Sequence, residues 1–236
     1  MQKILVTALI AGCLAGLFVF VMQSVKLTPL ILEAEVYEDA DAAKKQAAQE
    51  ASEASMGMAH HHEEEAWEPA NGFERNAYRF LADLGVGVGY ALILIGAFTL
   101  RGCEMDTRSG VLWGLAGFAV FSLAPGFGLP PELPATMAAD LIARQIWWIS
   151  TALATAIGLS LIVFKPSNNM KALGIAIMVL PHAISAPKAP LGGVVPTELN
   201  AEFAAASLAT MALFWVVLGA LSGWLYSVKK TAGHVA

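Results

Sequence analysis

Six runs of apolar residues, each close to the length of a membrane crossing, limit what this chain can fold into more than any other feature. They are Ile4–Met22, Ala82–Leu100, Gly110–Leu129, Ile146–Phe164, Ala172–Ala186 and Ala204–Tyr226. A helix rises about 1.5 Å per residue, so crossing a hydrocarbon layer of about 30 Å takes about 20 apolar residues. A helix also satisfies its own backbone N–H and C=O groups where no water is present to do so. The expected fold class is therefore all-α, a polytopic membrane protein with about six transmembrane helices. The fifth run is short, and Pro181 and Pro187 interrupt its end. It is tilted, buried among neighbours or partly re-entrant, which leaves five spans as the alternative.

Charge supports this reading. Only 14% of the 236 residues are charged, against about 25% in a soluble domain. Between Ser24 and Leu81 lie twelve acids and five bases, whereas the rest of the chain holds seven acids and nine bases. The net charge of −5 thus belongs to one segment, and the remainder is a nearly neutral apolar body. The implied division is residues 1–23 as a first transmembrane helix and 24–81 as an acidic extramembrane loop. Residues 82–228 form a membrane domain with five further spans, and 229–236 a tail. Nucleic-acid binding is excluded, since no basic stripe is present to neutralise phosphates. Two cysteines, Cys13 and Cys103, build no disulfide framework and are expected as free thiols.

Ile10-Ala11-Gly12-Cys13 matches a bacterial lipoprotein cleavage box, but the apolar stretch continues to Met22. A signal core ends sooner, so the run is expected to remain as the first span. Lys3, Arg101, Arg108, Lys165, Lys171, Lys229 and Lys230 fall on one side of a six-span arrangement. The short loops opposite hold only Arg144 and Lys188, with Lys26, Arg75 and Arg79 in the long loop. By the positive-inside rule both termini are cytoplasmic and the acidic loop is outside. Trp147, Trp148, Trp224 and Tyr226 lie near span ends, as interfacial anchors do.

Gly85-Val86-Gly87-Val88-Gly89 lies in a membrane run with no preceding strand, so it is not a dinucleotide-binding turn. Gly85/Gly89, Gly12/Gly16 and Gly110/Gly114 have the small-xxx-small spacing that lets helices pack closely. No GxxxxGK[ST] occurs, so the chain has no P-loop for ATP hydrolysis.

Chemistry concentrates in two places. In the long loop, Asp39–Ser55 is rich in Ala, Glu, Lys and Gln and reads as a solvated helix, helped by an Asp41–Lys45 pair, or as unstructured chain. Two methionines, Met56 and Met58, then precede His60, His61, His62, Glu63, Glu64 and Glu65. Imidazole and carboxylate are ligands for divalent transition metals. Six consecutive side chains cannot all face one ion, so the segment reads as a loose, exchangeable metal collector, or as a polar loop that happens to contain histidines. In the membrane domain, His182 is the only histidine inside an apolar run, within Leu180-Pro181-His182-Ala183-Ile184-Ser185-Ala186-Pro187. Intramembrane ionisable groups face a pathway or a partner. His182 therefore lines an ion or water site with a carbonyl freed by Pro181 and the Ser185 hydroxyl, or bonds to a neighbouring helix.

Residues 130–143 and 196–209 align with seven identities in fourteen positions, four of them alanine. This hints at repeated helical hairpins, an organisation that in transporters places sites between copies. Glu132 and Glu198 are then equivalent, as metal ligands or gating carboxylates, or else as acids favoured at helix N-termini. Asp140 and Arg144 have the spacing of a structural i,i+4 pair.

Four segments carry a resemblance to a known family: Gly128-Leu129-Pro130-Pro131-Glu132-Leu133-Pro134, Ala143-Arg144-Gln145-Ile146-Trp147-Trp148, Leu180 to Pro187, and Val195-Pro196-Thr197-Glu198-Leu199. With the histidine-bearing loop and the span pattern, the chain resembles the CbtA family of predicted cobalt transporter subunits over nearly its whole length. The resemblance implies cobalt uptake across a bacterial inner membrane in the service of cobalamin synthesis. It also implies a small CbtB-like membrane subunit as partner. Co2+ is then the transported ion, and no tightly bound cofactor or enzymatic activity is expected. The family pattern usually has five spans, and it leads us to expect glycine where this chain has Ser185. The alternative function is a non-transporting, membrane-anchored metal-binding or assembly subunit.

Overall fold

The computed structural model describes residues 2–56, 67, 69–102, 105–190 and 192–232. Among them there is no strand. The chain forms α1 (Gln2–Lys26), α2 (Thr28–Met56), α3 (Phe73–Arg101), α4 (Thr107–Phe118, continuing to Gly126), α5 (Leu141–Phe164), α6 (Asn168–Ile184) and α7 (Thr197–Ala232). Five segments are long and apolar enough to cross a membrane: Ile4–Lys26, Phe73–Arg101, Thr107–Gly126, Leu141–Phe164 and Thr197–Val228. The fifth run of the sequence becomes α6, which at 17 residues is the shortest of the seven apart from the first part of α4.

The bundle is assembled around small residues. On α1, Ala8, Ala11 and Ala15 are fully buried while Leu5, Leu9 and Leu17 are about half exposed. Small residues inward and large apolar ones outward is the arrangement of helices packed together in lipid. The first run is thus an integral part of the packed bundle. A β-carbon at Gly12 or Gly16 would run into the α3 backbone at Val88 and Asp83, and one at Gly87 would meet the carbonyl of Gly12. Gly110 and Gly114 of α4 pack in the same way on Gly219, Gly223 and the Trp215 carbonyl of α7. Gly158 of α5 and Gly174 of α6 approach each other's carbonyls, where a β-carbon would lie 2.5 and 2.6 Å away. Two of the three expected small-residue pairs are therefore contacts. The third is corrected: Gly85 and Gly89 face open space, and Gly87 between them makes the approach to α1.

These contacts also fix direction. Gly12 and Gly16 of α1 meet Val88 and Asp83 of α3 in reverse order, and Gly110, Gly114 and Gly126 of α4 meet Gly219, Trp215 and Leu208 of α7 in reverse order. Each pair is antiparallel. The α5–α6 pair is too: Gly158 meets Gly174, and Trp147 meets Pro181. Although short, α6 runs between the same two ends of the bundle as its neighbours.

Aromatic residues fill the middle of the core. Phe98, Phe214 and Trp215 are almost completely buried, and the Trp215 ring stacks on Phe121 with centroids 5.7 Å apart and planes 5° from parallel. Phe121 lies in a π-helical turn, Ala119–Leu123, just before Pro125. Proline has no N–H to donate, and a wider turn ahead of it re-registers the ladder, with the Ala124 amide reaching back to the Ala119 carbonyl. At the start of α4, Asp106 caps the helix by accepting from the Ser109 amide at 2.7 Å. That hydrogen bond holds its carboxyl below the usual aspartate range.

The acidic segment begins as a continuation of the bundle. Only Leu27 separates α1 from α2, and the first turns of α2 pack Leu30, Ile31 and Ala34 on Leu133, Val195, Leu199 and Phe203. Arg79 of α3 donates to Ser24 and Thr28 on either side of this break, and Arg75 pairs with Glu35 of α2. Residues 39–55 are thus helical, and the Asp41–Lys45 pair forms at 2.6 Å.

Candidate functional site

A cavity of about 470 Å3 opens where α5 and α6 meet the connections that follow α4 and α6. Its walls include Gly128, Pro130, Glu132, Trp147, His182, Ser185 and Lys188. Three of the four segments that carry the family resemblance contribute to it, and the fourth, Val195–Leu199, packs on Leu133 immediately beyond. Segments separated by up to seventy residues in the chain thus meet at one end of the bundle.

His182 occupies the last turn of α6, and its neighbours explain why that helix ends there. The final carbonyls of a helix lack intrahelical partners. Here the Trp147 indole N–H donates to the Pro181 carbonyl at 3.2 Å, and the Ser185 amide returns to the His182 carbonyl at 3.2 Å. Ser185 has φ 72° and ψ 148°, a conformation that a β-carbon makes costly. The glycine that the family resemblance suggests at this position would suit it without strain. The His182 ring meets Trp147 and Phe127 edge to face, with centroids 5.6 and 6.4 Å apart. Two apolar rings set the imidazole in place while part of it stays accessible.

Glu132 stands on the loop between α4 and α5, where its carboxylate accepts from Arg144 Nη1 at 2.9 Å. The expected Asp140–Arg144 pair is replaced by this one. Asp140 instead caps α5, accepting from the Ala143 amide at 2.9 Å, so Arg144 turns back to Glu132. Both members of the Arg144–Glu132 pair also border a second, wider cavity of about 740 Å3, together with Gln145 and Trp148.

Of the sequence-derived site residues, His182 and Glu132 come together on one cavity, with Ser185 beside them. Glu198 does not line it; it is exposed in the first turn of α7. The suggested hairpin repeat has no local counterpart, since residues 129–140 are irregular while α7 is helical from Thr197. His60, His61, His62, Glu63, Glu64 and Glu65 lie outside the described residues, as does Cys103; Cys13 is a free thiol. Among the described residues no three His, Cys, Asp or Glu side chains converge as a metal-binding group. The wall residue that sequence reasoning misplaced is Trp147. Its ring is buried against the site of Gly128, where a β-carbon would collide with it, so it is a structural wall rather than an interfacial anchor. Its neighbour Trp148 and the exposed Trp224 remain near span ends.

The apolar helices define a multi-pass α-helical membrane protein, and its polar-lined cavities, which share Glu132, open at one end of the bundle. A family model described as a probable cobalt transporter subunit (CbtA) matches residues 1–227, and the chain belongs to that family. No curated protein and no solved structure matches it.

Proposed function

We propose that this chain is a subunit of a bacterial inner-membrane cobalt uptake system and that His182 and Glu132 receive the ion at the outer end of the membrane domain. The observation that supports this is the meeting of one imidazole and one carboxylate on the same cavity at the end of apolar helices. A volume of about 470 Å3 is many times that of one water, so the cavity admits an ion that keeps part of its hydration. Two protein ligands with water completing the shell bind weakly and exchange quickly, which suits a cargo rather than a resident metal. Glu198 is a later or auxiliary carboxylate in this reading. The loop histidines His60, His61 and His62, with Glu63, Glu64 and Glu65, collect the ion upstream. A small CbtB-like membrane subunit completes the system, which supplies cobalamin synthesis. Imidazole must be neutral and carboxylate ionised to ligate, so uptake weakens in acid.

The test is uptake of radioactive cobalt by cells expressing the chain with its small partner. His182→Ala abolishes uptake at every cobalt concentration while the protein still accumulates in the membrane. His182→Gln separates ligation from packing, because glutamine keeps hydrogen bonding but is a poor transition-metal ligand. Full activity in the glutamine variant would show that His182 only packs between Trp147 and Phe127.

A further inference from the structure

We infer that Arg144 is a built-in competitor for the ion at Glu132, a resident cation that the incoming divalent ion displaces. The inference rests on the reading of His182 and Glu132 as the receiving site. Three observations carry it. Arg144 Nη1 lies 2.9 Å from Glu132 Oε2, and both side chains are about 30% exposed. Glu132 borders both cavities, whereas His182 borders only the smaller and Arg144 only the wider. Among the described residues the Nε of Arg144 has no hydrogen-bond partner, and the one hydrogen bond from the guanidinium goes to the Glu132 carboxylate.

A partly exposed pair of this kind is weak, because water screens it and two long side chains must be ordered to form it. Displacement is therefore easy for a doubly charged ion that also gains an imidazole. The wider cavity gives the released guanidinium a destination beside Gln145 and the Trp148 ring, a surface suited to a planar cation. Lys188 lines the smaller cavity as a second positive charge and adds to the opposition. The guanidinium thus offsets the charge of the Glu132 carboxylate. Singly charged ions, which gain less from Glu132 and do not seek imidazole, compete poorly with Arg144. The pair sets a threshold that favours divalent transition ions.

The experiment is titration with cobalt chloride alone of the purified full-length chain in detergent, in a parent, called native below, whose collector residues His60, His61, His62, Glu63, Glu64 and Glu65 are replaced by alanine. Arg144→Met binds cobalt about two- to fivefold more tightly than the native chain, as loss of a partly exposed pair implies, and Arg144→Lys, which keeps the charge, shows no such gain. In a Glu132→Gln background, Arg144→Met changes nothing. The native protein supplies an independent measurement: cobalt accelerates modification of Arg144 by an arginine-selective dicarbonyl reagent, followed by mass spectrometry. Unchanged or weaker binding in Arg144→Met, an equal gain in the Glu132→Gln background, or slower modification of Arg144 with cobalt present overturns the inference. If His182→Ala weakens binding while Arg144→Met has no effect, the receiving site stands and the competitor does not. If His182→Ala leaves binding unchanged, the site reading falls and the inference with it.

Discussion

Ser185 shows how one residue can be fixed by backbone geometry rather than by what its side chain does. Its φ of 72° follows from the turn that closes α6 on the His182 carbonyl, and the same turn sets the imidazole against Trp147 and Phe127. Releasing the β-carbon strain outweighs the extra unfolded-state entropy of glycine. Ser185→Gly is therefore expected to stabilise the detergent-solubilised protein by about 1 kcal/mol over Ser185→Ala, read as thermal unfolding. Equal stability of the two variants would mean that the turn holds no strain. At this scale the sequence was readable where chemistry was scarce, since one histidine among apolar residues stands out. It was not readable where spacing competed with capping. The i,i+4 rule assigned Arg144 to Asp140, but Asp140 spends its carboxylate on the Ala143 amide, and Arg144 found Glu132 twelve residues back.

Among the helices, apolar runs showed where each lies but not which face it buries. Gly85, Gly87 and Gly89 look alike in sequence, yet only Gly87 meets a neighbour, because the face turned to α1 is set by packing of the whole helix. The structure therefore separates glycines that must stay small from those that need not. Gly114→Leu drives a side chain into the Trp215 carbonyl of α7 and separates α4 from α7, whereas Gly89→Leu enters open space. The expected outcome is loss of monodisperse protein for the first and native elution and melting for the second. A tolerated Gly114→Leu would show that α4 and α7 are held by something other than close backbone approach. The acidic segment was half readable. Its charged middle gave the choice of helix or coil. The apolar turns around Leu30, Ile31 and Ala34, which anchor α2 on Leu133 and Leu199, settle that choice through contacts more than a hundred residues away in sequence. The histidines that follow α2 are proposed as a collector off the membrane path. Replacing His60, His61 and His62 by alanine thus raises the cobalt concentration for half-maximal uptake and leaves the maximal rate nearly intact. A collapsed maximal rate at saturating cobalt would place them on the path itself.

For the whole molecule, the number of crossings is where length and topology give different answers. By length and apolarity five segments qualify, and α6 with 17 residues falls short, spanning about 25 Å. By topology α6 still links one end of the bundle to the other, because it pairs antiparallel with α5 from Gly174 to Pro181. Its exposed face is apolar, with Leu173, Ile175, Val179, Leu180 and Ile184 all outward, as a lipid-facing helix requires. A short apolar helix is accommodated by local thinning of the bilayer at modest cost. Six crossings put Asn71 and Lys188 on one side of the membrane and Asn169 on the other, and from the lysine and arginine distribution we propose that Asn71 and Lys188 lie outside. The measurement uses single cysteines at these three exposed positions in a chain with Cys13 and Cys103 replaced. In intact spheroplasts, an impermeant thiol reagent should label positions 71 and 188 and reach 169 only after the membrane is broken. Labelling of 169 together with 188 from one side would make α6 re-entrant and leave five crossings. Labelling of 169 alone would keep six crossings and invert them, which moves His182 and Glu132 to the cytoplasmic face and turns an entry site into an exit.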